Sequence, residues 1–438
     1  MSPELIALVS IVLTVVLLVL GAHIGLVLML VGALGILAVT GNFAATIGIL
    51  RTVPFSTAAT YAFTIVPLFI LMGHFSLHGG ISERAYRAIN NWLGRLPGGL
   101  AIATTWACAA FGATSGSNIA AASVFTKISL PEMRKAGYDK NFACGGIAMA
   151  SMLAQIIPPS LFLVIYGMLA EVSIAKMLIA GVLPGLIMAT TLSMGTWIIA
   201  MRYPRLAPIS HRVASLREKL TSTAKAWPIA VLAGVTIGGI YSGVFTPTEA
   251  AALGALAALI IALGHRGLNL DKLKGSLLET AQVTGMVFLI LIGATIFACF
   301  LTRSGITTTL SEGLIALGLS PLPFVIILTL LYLVIGCFID GLSAMFITMP
   351  VFFPAVLALG IDPIWFGVVI VVALLMGSIT PPFGIGVFVV KAVAGPDVTV
   401  EGVFRGALPY YLPMLTVVAI LIAFPQISTF LPNMMVVR

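Results

Sequence analysis

Charge is what this sequence has least of. Only 8% of its 438 residues are Asp, Glu, Lys or Arg, while 60% are hydrophobic. A soluble domain carries about 25% charged residues, so most of this surface faces something other than water. The shortage is concentrated. No charged residue falls in Leu5–Leu50, Gly98–Thr126, Asn141–Ala170, Met177–Met201, Thr280–Thr302, Gly313–Ile339, Gly341–Ile361, Pro363–Val390 or Gly406–Val437. About 20 mostly apolar residues cross ~30 Å of hydrocarbon. Several runs therefore suffice for one span, and the first for two. Cysteine is scarce too: Cys108, Cys144, Cys299 and Cys337 sit in apolar runs without CxxC spacing. They read as small hydrophobes, with no disulfide or metal role. The five histidines, His23, His74, His78, His211 and His265, lie near expected span ends or in loops. An intramembrane hydrolase would need one of them to face a serine, so that class is disfavoured. A basic leader is also lacking, and the first apolar stretch runs far past a signal sequence's core, so it reads as retained spans.

The charge that is present has a pattern. A net charge of +8 could point to nucleic acid, but membrane topology explains it better. Of the 22 Lys and Arg residues, 18 fall in five short polar stretches. These hold Arg84, Arg87 and Arg95; then Lys127, Arg134, Lys135 and Lys140; then Arg202, Arg205, Arg212, Arg217, Lys219 and Lys225; then Arg266, Lys272 and Lys274; then Lys391 and Arg405. The positive-inside rule puts all five on the cytoplasmic side. That works only if two segments are re-entrant. One has arms Gly98–Ala113 and Ile119–Leu130, each too short to cross comfortably, and enters from the cytoplasm. Its counterpart, Pro321–Phe338 with Ser343–Ala358, enters from outside. The expectation is an all-α polytopic membrane protein with about ten transmembrane helices, two re-entrant hairpins and both termini outside. Asn42–Tyr61, with Arg51, reads as an interfacial amphipathic helix.

The two halves, residues 1–225 and 226–438 of one membrane domain, superpose in sequence at an offset near 225. Gly80-Ile81 matches Gly305-Ile306, and Gly116 matches Gly341. After a two-residue shift, Pro131, Gly137 and Asp139 match Pro354, Gly360 and Asp362, and Pro158-Pro159 matches Pro381-Pro382. A compensating shift then aligns Gly181, Leu183 and Pro184 with Gly406, Leu408 and Pro409. Chance coincidence of Gly and Pro is the competing explanation, and a double proline in register argues against it. The halves are expected to run in opposite directions across the membrane. Inverted repeats mark secondary transporters, because two opposed halves give outward- and inward-facing states of similar energy.

Four breaks interrupt the apolar helices. Two are hairpin tips, Thr114-Ser115-Gly116-Ser117-Asn118 and Ile339-Asp340-Gly341-Leu342-Ser343; two lie within spans, Gln155 to Ser160 (QIIPPS) and Ile379 to Gly384 (ITPPFG). A double proline removes two backbone donors, and an unpaired carbonyl in hydrocarbon costs several kcal/mol. Such breaks persist where they line a cavity or bind something. Bare carbonyls with Ser, Thr and Asn oxygens suit Na⁺, and helix amino termini at the tips suit an anion. Tip one with the Pro158 break makes one expected ion site (Thr114, Ser115, Gly116, Ser117, Asn118, Ile157, Pro158). Tip two with the Pro381 break makes its mirror image (Ile339, Asp340, Gly341, Ser343, Ile379, Thr380, Gly384). A solute between the tips would meet Ser115, Asn118, Gln155, Ser160, Asp340 and Ser343. Asp340 stands out, since a carboxylate in a membrane hairpin is costly. The plainer alternative for Asp340 and the tip serines is helix capping.

Other polar residues read as structural. Thr246-Pro247-Thr248-Glu249 has the form of a capping box with Pro at the first helical position. His74 and His78 have i, i+4 spacing, but no third metal ligand is evident. Glu171 and Lys176 flank a turn. No cofactor, and no metal other than Na⁺, is expected.

Five motifs, in order, carry a family resemblance: GATSGSN (Gly112 to Asn118), LPEMRKAGYD (Leu130 to Asp139), IIPPS (Ile156 to Ser160), FTPTEAAA (Phe245 to Ala252) and FIDG (Phe338 to Gly341). Together they resemble the large membrane subunit of tripartite ATP-independent periplasmic (TRAP) transporters over essentially the whole chain. The resemblance implies an ion-coupled importer in the bacterial inner membrane, usually Na⁺-driven, for organic anions such as C4-dicarboxylates, sialic acids or 2-oxo acids. It implies a periplasmic substrate-binding protein, and a small four-span subunit expected as a separate polypeptide. It further implies an elevator, with a hairpin-bearing part sliding against a scaffold that includes the first two spans of each half. The rival is a Na⁺-coupled dicarboxylate or sulfate symporter of similar architecture that works without a binding protein. A passive channel would not explain paired broken helices.

Overall fold

The computed structural model describes residues 2–209, 214–316, 320–382 and 384–435; His211, Arg212 and Phe383 lie outside these. Every regular element among the described residues is helical. The first half holds α1 (Pro3–Val19), α2 (Ile24–Thr40), α3 (Phe43–Ala58), α4 (Ile65–His78, entered through a 3-10 turn), α5 (Ile81–Leu93), α6 (Gly99–Ser115) and α7 (Asn118–Lys135). Then come α8 (Lys140–Ser151), α9 (Leu153–Ile156), α10 (Leu161–Leu169), α11 (Ile174–Ala180), α12 (Val182–Arg202) and α13 (Leu216–Lys225). The second half holds α14 (Trp227–Ala233), α15 (Gly239–Tyr241), α16 (Pro247–Gly264), α17 (Leu270–Ser304), α18 (Ile306–Ala316), α19 (Pro321–Phe338) and α20 (Gly341–Ala358). It ends with α21 (Pro363–Gly377), α22 (Ile385–Ala394), α23 (Val400–Ala423) and α24 (Gln426–Met434).

Seven helices among the described residues are long and apolar enough to cross a membrane, and up to nine if each of two bent pairs is one span. Two of the seven are the arms of the second hairpin, α19 and α20. The bent pairs are α8–α9 with α10, turned by 45°, and α13 with the α14–α15 segment, turned by 42°. Four shorter helices, α1, α2, α21 and α22, are apolar as well. The hairpin arms are longer than their apolar runs predict: α7 continues past Leu130 to Lys135, through Pro131. Arms of 17 and 18 residues reach about 26 Å at 1.5 Å per residue. Length alone therefore does not make them re-entrant.

Local chemistry sets the ends. Ser2 caps α1 ahead of Pro3, Asp139 caps α8, and Asp362 caps α21 ahead of Pro363. The box Thr246–Glu249 forms, with Pro247 at the first helical position. A second box, Ser215–Glu218, opens α13. The matched pairs Gly80-Ile81 and Gly305-Ile306 are both helix entries through left-handed glycines, at φ 68° and 75°.

Small residues bring helices of different halves together. Helix α2 lies along α17, where a β-carbon on Gly25 would sit 2.8 Å from the Leu289 backbone and one on Gly32 2.9 Å from Phe297 Cα. Helix α16 lies along α4, with Gly79 against Ala262 and Gly254 beneath Met72. The second span of each half thus packs on the third span of the other. Helix α8 crosses α23 at Gly145 and Gly406, whose backbones leave no room for a β-carbon.

Candidate functional site

Tip one begins where α6 ends. Gly116 has φ 63°, and its N–H returns to the Gly112 carbonyl at 3.3 Å. A β-carbon there would run into the Pro159 carbonyl oxygen, so the glycine lets the tip close on the break. The Ser117 hydroxyl accepts from the Ala120 N–H at 3.3 Å and caps α7, while the Ser117 N–H donates to Ser115 Oγ at 3.3 Å. The Thr114 hydroxyl donates to the Phe111 carbonyl at 2.9 Å. Thr114, Ser115 and Asn118 are buried. In the break, Pro158-Pro159 is a cis bond, and Ile156 to Ser160 are all buried. The Ser160 hydroxyl donates to the Gln155 carbonyl and accepts from the Leu163 N–H, taking up an acceptor that the prolines leave without a backbone donor. Gln155 is half-buried.

Tip two has other chemistry. Asp340 caps α20, and one carboxylate oxygen, Oδ2, accepts from the Leu342 N–H at 3.1 Å, the Ser343 N–H at 3.3 Å and the Ser343 hydroxyl at 3.3 Å. The helix amino terminus that the sequence offered to an anion is therefore filled by the protein's own carboxylate. Gly341 packs under the Phe162 ring of α10 and beside Leu374 of α21. In the partner break, also cis at Pro381-Pro382, the Thr380 hydroxyl donates to the Met376 carbonyl at 3.0 Å. The Tyr411 hydroxyl of α23 donates to the Ile379 carbonyl at 3.0 Å. Pro381 and Pro382 are exposed, whereas Gly384 is buried.

The second tip and the residues on either side of its break, Ser378 and Ile385, line one cavity of about 230 Å³ with Ile339, Asp340 and Ser343 and with Leu18, Ala22 and Ile24 around the α1–α2 turn; Ile379, Thr380 and Gly384 do not line it. The arms allow this because α19 crosses α21 at Gly336 and Gly377, where an added β-carbon would sit 3.1 Å from the facing Cα. The first tip is linked to the end of α21, just before the second break, by Met152, which is fully buried. Its sulfur lies 4.0 Å from Asn118 Nδ2 and 3.7 Å from Ser378 Oγ.

The matched pair Gly116 and Gly341 needs correction. Helix ends Ser115 and Phe338, and starts Asn118 and Gly341, are 223 residues apart, so the two-residue shift lies before the tips, not after them. Ser117 and Asp340 are the matching caps; Gly341 is the first residue of its helix, whereas Gly116 ends one. In that register Ser378 is the counterpart of Gln155, and the repeat should have singled it out. Met152 and Tyr411 carry no sequence signal. Nor does Glu279 of α17, whose Oε2 lies 3.1 Å from His74 Nδ1.

The family described as "Tripartite ATP-independent periplasmic transporter, DctM component" matches residues 11–427. A C4-dicarboxylate TRAP transporter large permease protein of Pseudomonas aeruginosa is 38% identical over 86% of this chain and 88% of its own. A sialic acid TRAP transporter permease protein of Haemophilus influenzae is 35% identical over 85% of this chain, which spans 60% of that protein. The fold is shared with the Alcanivorax borkumensis YdaH transporter, at TM-score 0.60 and 18% identity over 87% of this chain and 89% of that one. With hairpins, breaks and family motifs in one register, the chain belongs to the large permease subunits of tripartite ATP-independent periplasmic transporters.

Proposed function

We propose that this chain imports a small organic anion across a bacterial inner membrane, coupled to the Na⁺ gradient. The solute would be a carboxylate of the C4-dicarboxylate, sialic acid or 2-oxo acid class. A periplasmic binding protein would deliver it, and a small four-span subunit would brace the scaffold. The observation that carries this reading is the cavity where Asp340, Ser343 and Ser378 meet at a tip and a broken helix. Asp340 Oδ2 accepts all three capping bonds, and Oδ1 is the oxygen offered to a cation. Asp340 and a carboxylate solute repel each other, by about 4 kcal/mol at 4 Å and an effective dielectric near 20. A Na⁺ between them reverses that sign. The anion therefore binds well only with the cation, and this is coupling in its simplest electrostatic form.

The reciprocal packing of α2 on α17 and α16 on α4 supports two inverted repeats, and the clustering of Lys and Arg in five stretches favours both termini periplasmic. The packing also favours an elevator in which the hairpins and broken spans move against that frame. The proposal is tested by solute uptake into proteoliposomes holding this chain, its small subunit and a cognate binding protein. Accumulation should require both an inward Na⁺ gradient and the binding protein. Accumulation with Na⁺ alone would favour the binding-protein-free symporter, and accumulation driven only by protons would reassign the coupling role to Asp340 itself.

A further inference from the structure

Helix α13, which joins the two halves, is ten residues long, too short to hold together in water by itself. One side is fastened to α5. Asn91 Nδ2 donates to Ser222 Oγ at 3.0 Å, Trp92 Nε1 donates to Thr223 Oγ1 at 3.0 Å, and Lys219 Nζ lies 5.2 Å from the Trp92 ring centre. Leu216 and Leu220, on the same face as Thr223, are exposed at 67% and 57%, and Trp227, which opens α14, at 48%. The i, i+4 spacing of Leu216 and Leu220 places them along one stripe, and Trp227 follows it across the bend into α14. Trp92 and Leu96 extend the apolar patch and are also exposed. Arg95, Arg217 and Lys225 nearby are exposed as well. The one acidic residue of the helix, Glu218, is turned back onto the Ser215 N–H by its capping box.

We infer that α13 is an interfacial strap that lays Leu216, Leu220 and Trp227 into the headgroup boundary of the bilayer, with its basic residues binding anionic phospholipid headgroups. Charge complementarity selects this occupant. A stripe of Leu and Trp bordered by Arg and Lys is the pattern of helices lying in an anionic membrane surface, and tryptophan favours that depth. The strap has a mechanical consequence. Helix α5 leads directly into α6 of the first hairpin, so a lipid-held α13 anchors the near end of that hairpin to the membrane plane.

The test uses the full chain in nanodiscs with a nitroxide on Leu216→Cys or Leu220→Cys, both exposed positions. Collision with oxygen and with a water-soluble nickel chelate is measured in phosphatidylcholine, with and without phosphatidylglycerol. Both labels should meet oxygen and be shielded from nickel, and phosphatidylglycerol should deepen the shielding. R217Q with K225Q should remove that added part, phosphatidylglycerol enrichment falling roughly five-fold per charge. Free collision with nickel in both lipids would overturn the inference, because the stripe then faces water. Shielding from both reagents would overturn it in favour of a second protein copy. Shielding indifferent to phosphatidylglycerol would overturn the anionic part.

Discussion

Ser117 and Asp340 occupy the same place in their hairpins, one capping α7 with a neutral hydroxyl and the other capping α20 with a carboxylate. The surroundings differ as much as the caps. The first break is buried from Ile156 to Ser160 and its Gln155 carbonyl is satisfied from within by Ser160, whereas the second exposes both prolines and is flanked by Ser378 and Ile385 of the Asp340 cavity. A hydroxyl caps a helix about as well as a carboxylate does. Capping therefore accounts for Ser117 and leaves the charge of Asp340 over for another task. The first tip and break are closed in on themselves, while the second is accessible from its cavity.

The largest test of this contrast is Asp340→Asn. Asparagine caps as well as aspartate, so thermal stability should hold while Na⁺-driven uptake falls by two to three orders of magnitude, the scale of an ion-pair term of about 4 kcal/mol. Uptake that keeps its rate and Na⁺ dependence would make Asp340 only a cap. Next comes Gly116→Ala, which places a β-carbon at φ 63° against Pro159. The backbone term alone is about 1–3 kcal/mol, and a thermal shift in detergent should show it clearly. Gly341→Ala meets the movable Phe162 ring on an ordinary helical backbone, so its loss should be smaller. Tyr411→Phe removes a hydrogen bond of about 1 kcal/mol and frees the Ile379 carbonyl. Half-saturation by Na⁺ should then fall several-fold, and an unchanged value would remove Ile379 from the ion site. The smallest effect belongs to Ser117→Ala. A lost cap of ~1 kcal/mol should lower stability slightly and leave the Na⁺ dependence of uptake untouched; a shifted dependence would mean that the hydroxyl also serves the ion.

Much of this was legible in the chain, because few structures satisfy uncharged runs interrupted by double prolines. The tips fell within the predicted pentapeptides, and the box at Thr246 forms as written. What escaped were pairings through space. Tyr411 reaches Ile379, Glu279 reaches His74, and Met152 stands between Asn118 and Ser378, with nothing in the local pattern to announce them. Helix α17 was read only in part. The uncharged run Thr280–Thr302 marks its membrane portion, but the helix begins at Leu270, since Asp271, Lys272 and Lys274 are no obstacle to a helix outside the bilayer. The register shift before the tips escaped because glycine matches alone cannot tell a residue that ends one helix from a residue that starts another.

The crossed packing of α2 on α17 and α16 on α4 means that neither half owns all the contacts of its second span. Expressed separately on either side of Ala226, each fragment would carry an apolar helix awaiting a stranger's third span. The two would stabilise each other only as a heterodimer. In a half-length chain the second span could meet such a partner only on another molecule, whereas here α13 makes that encounter a contact within one chain.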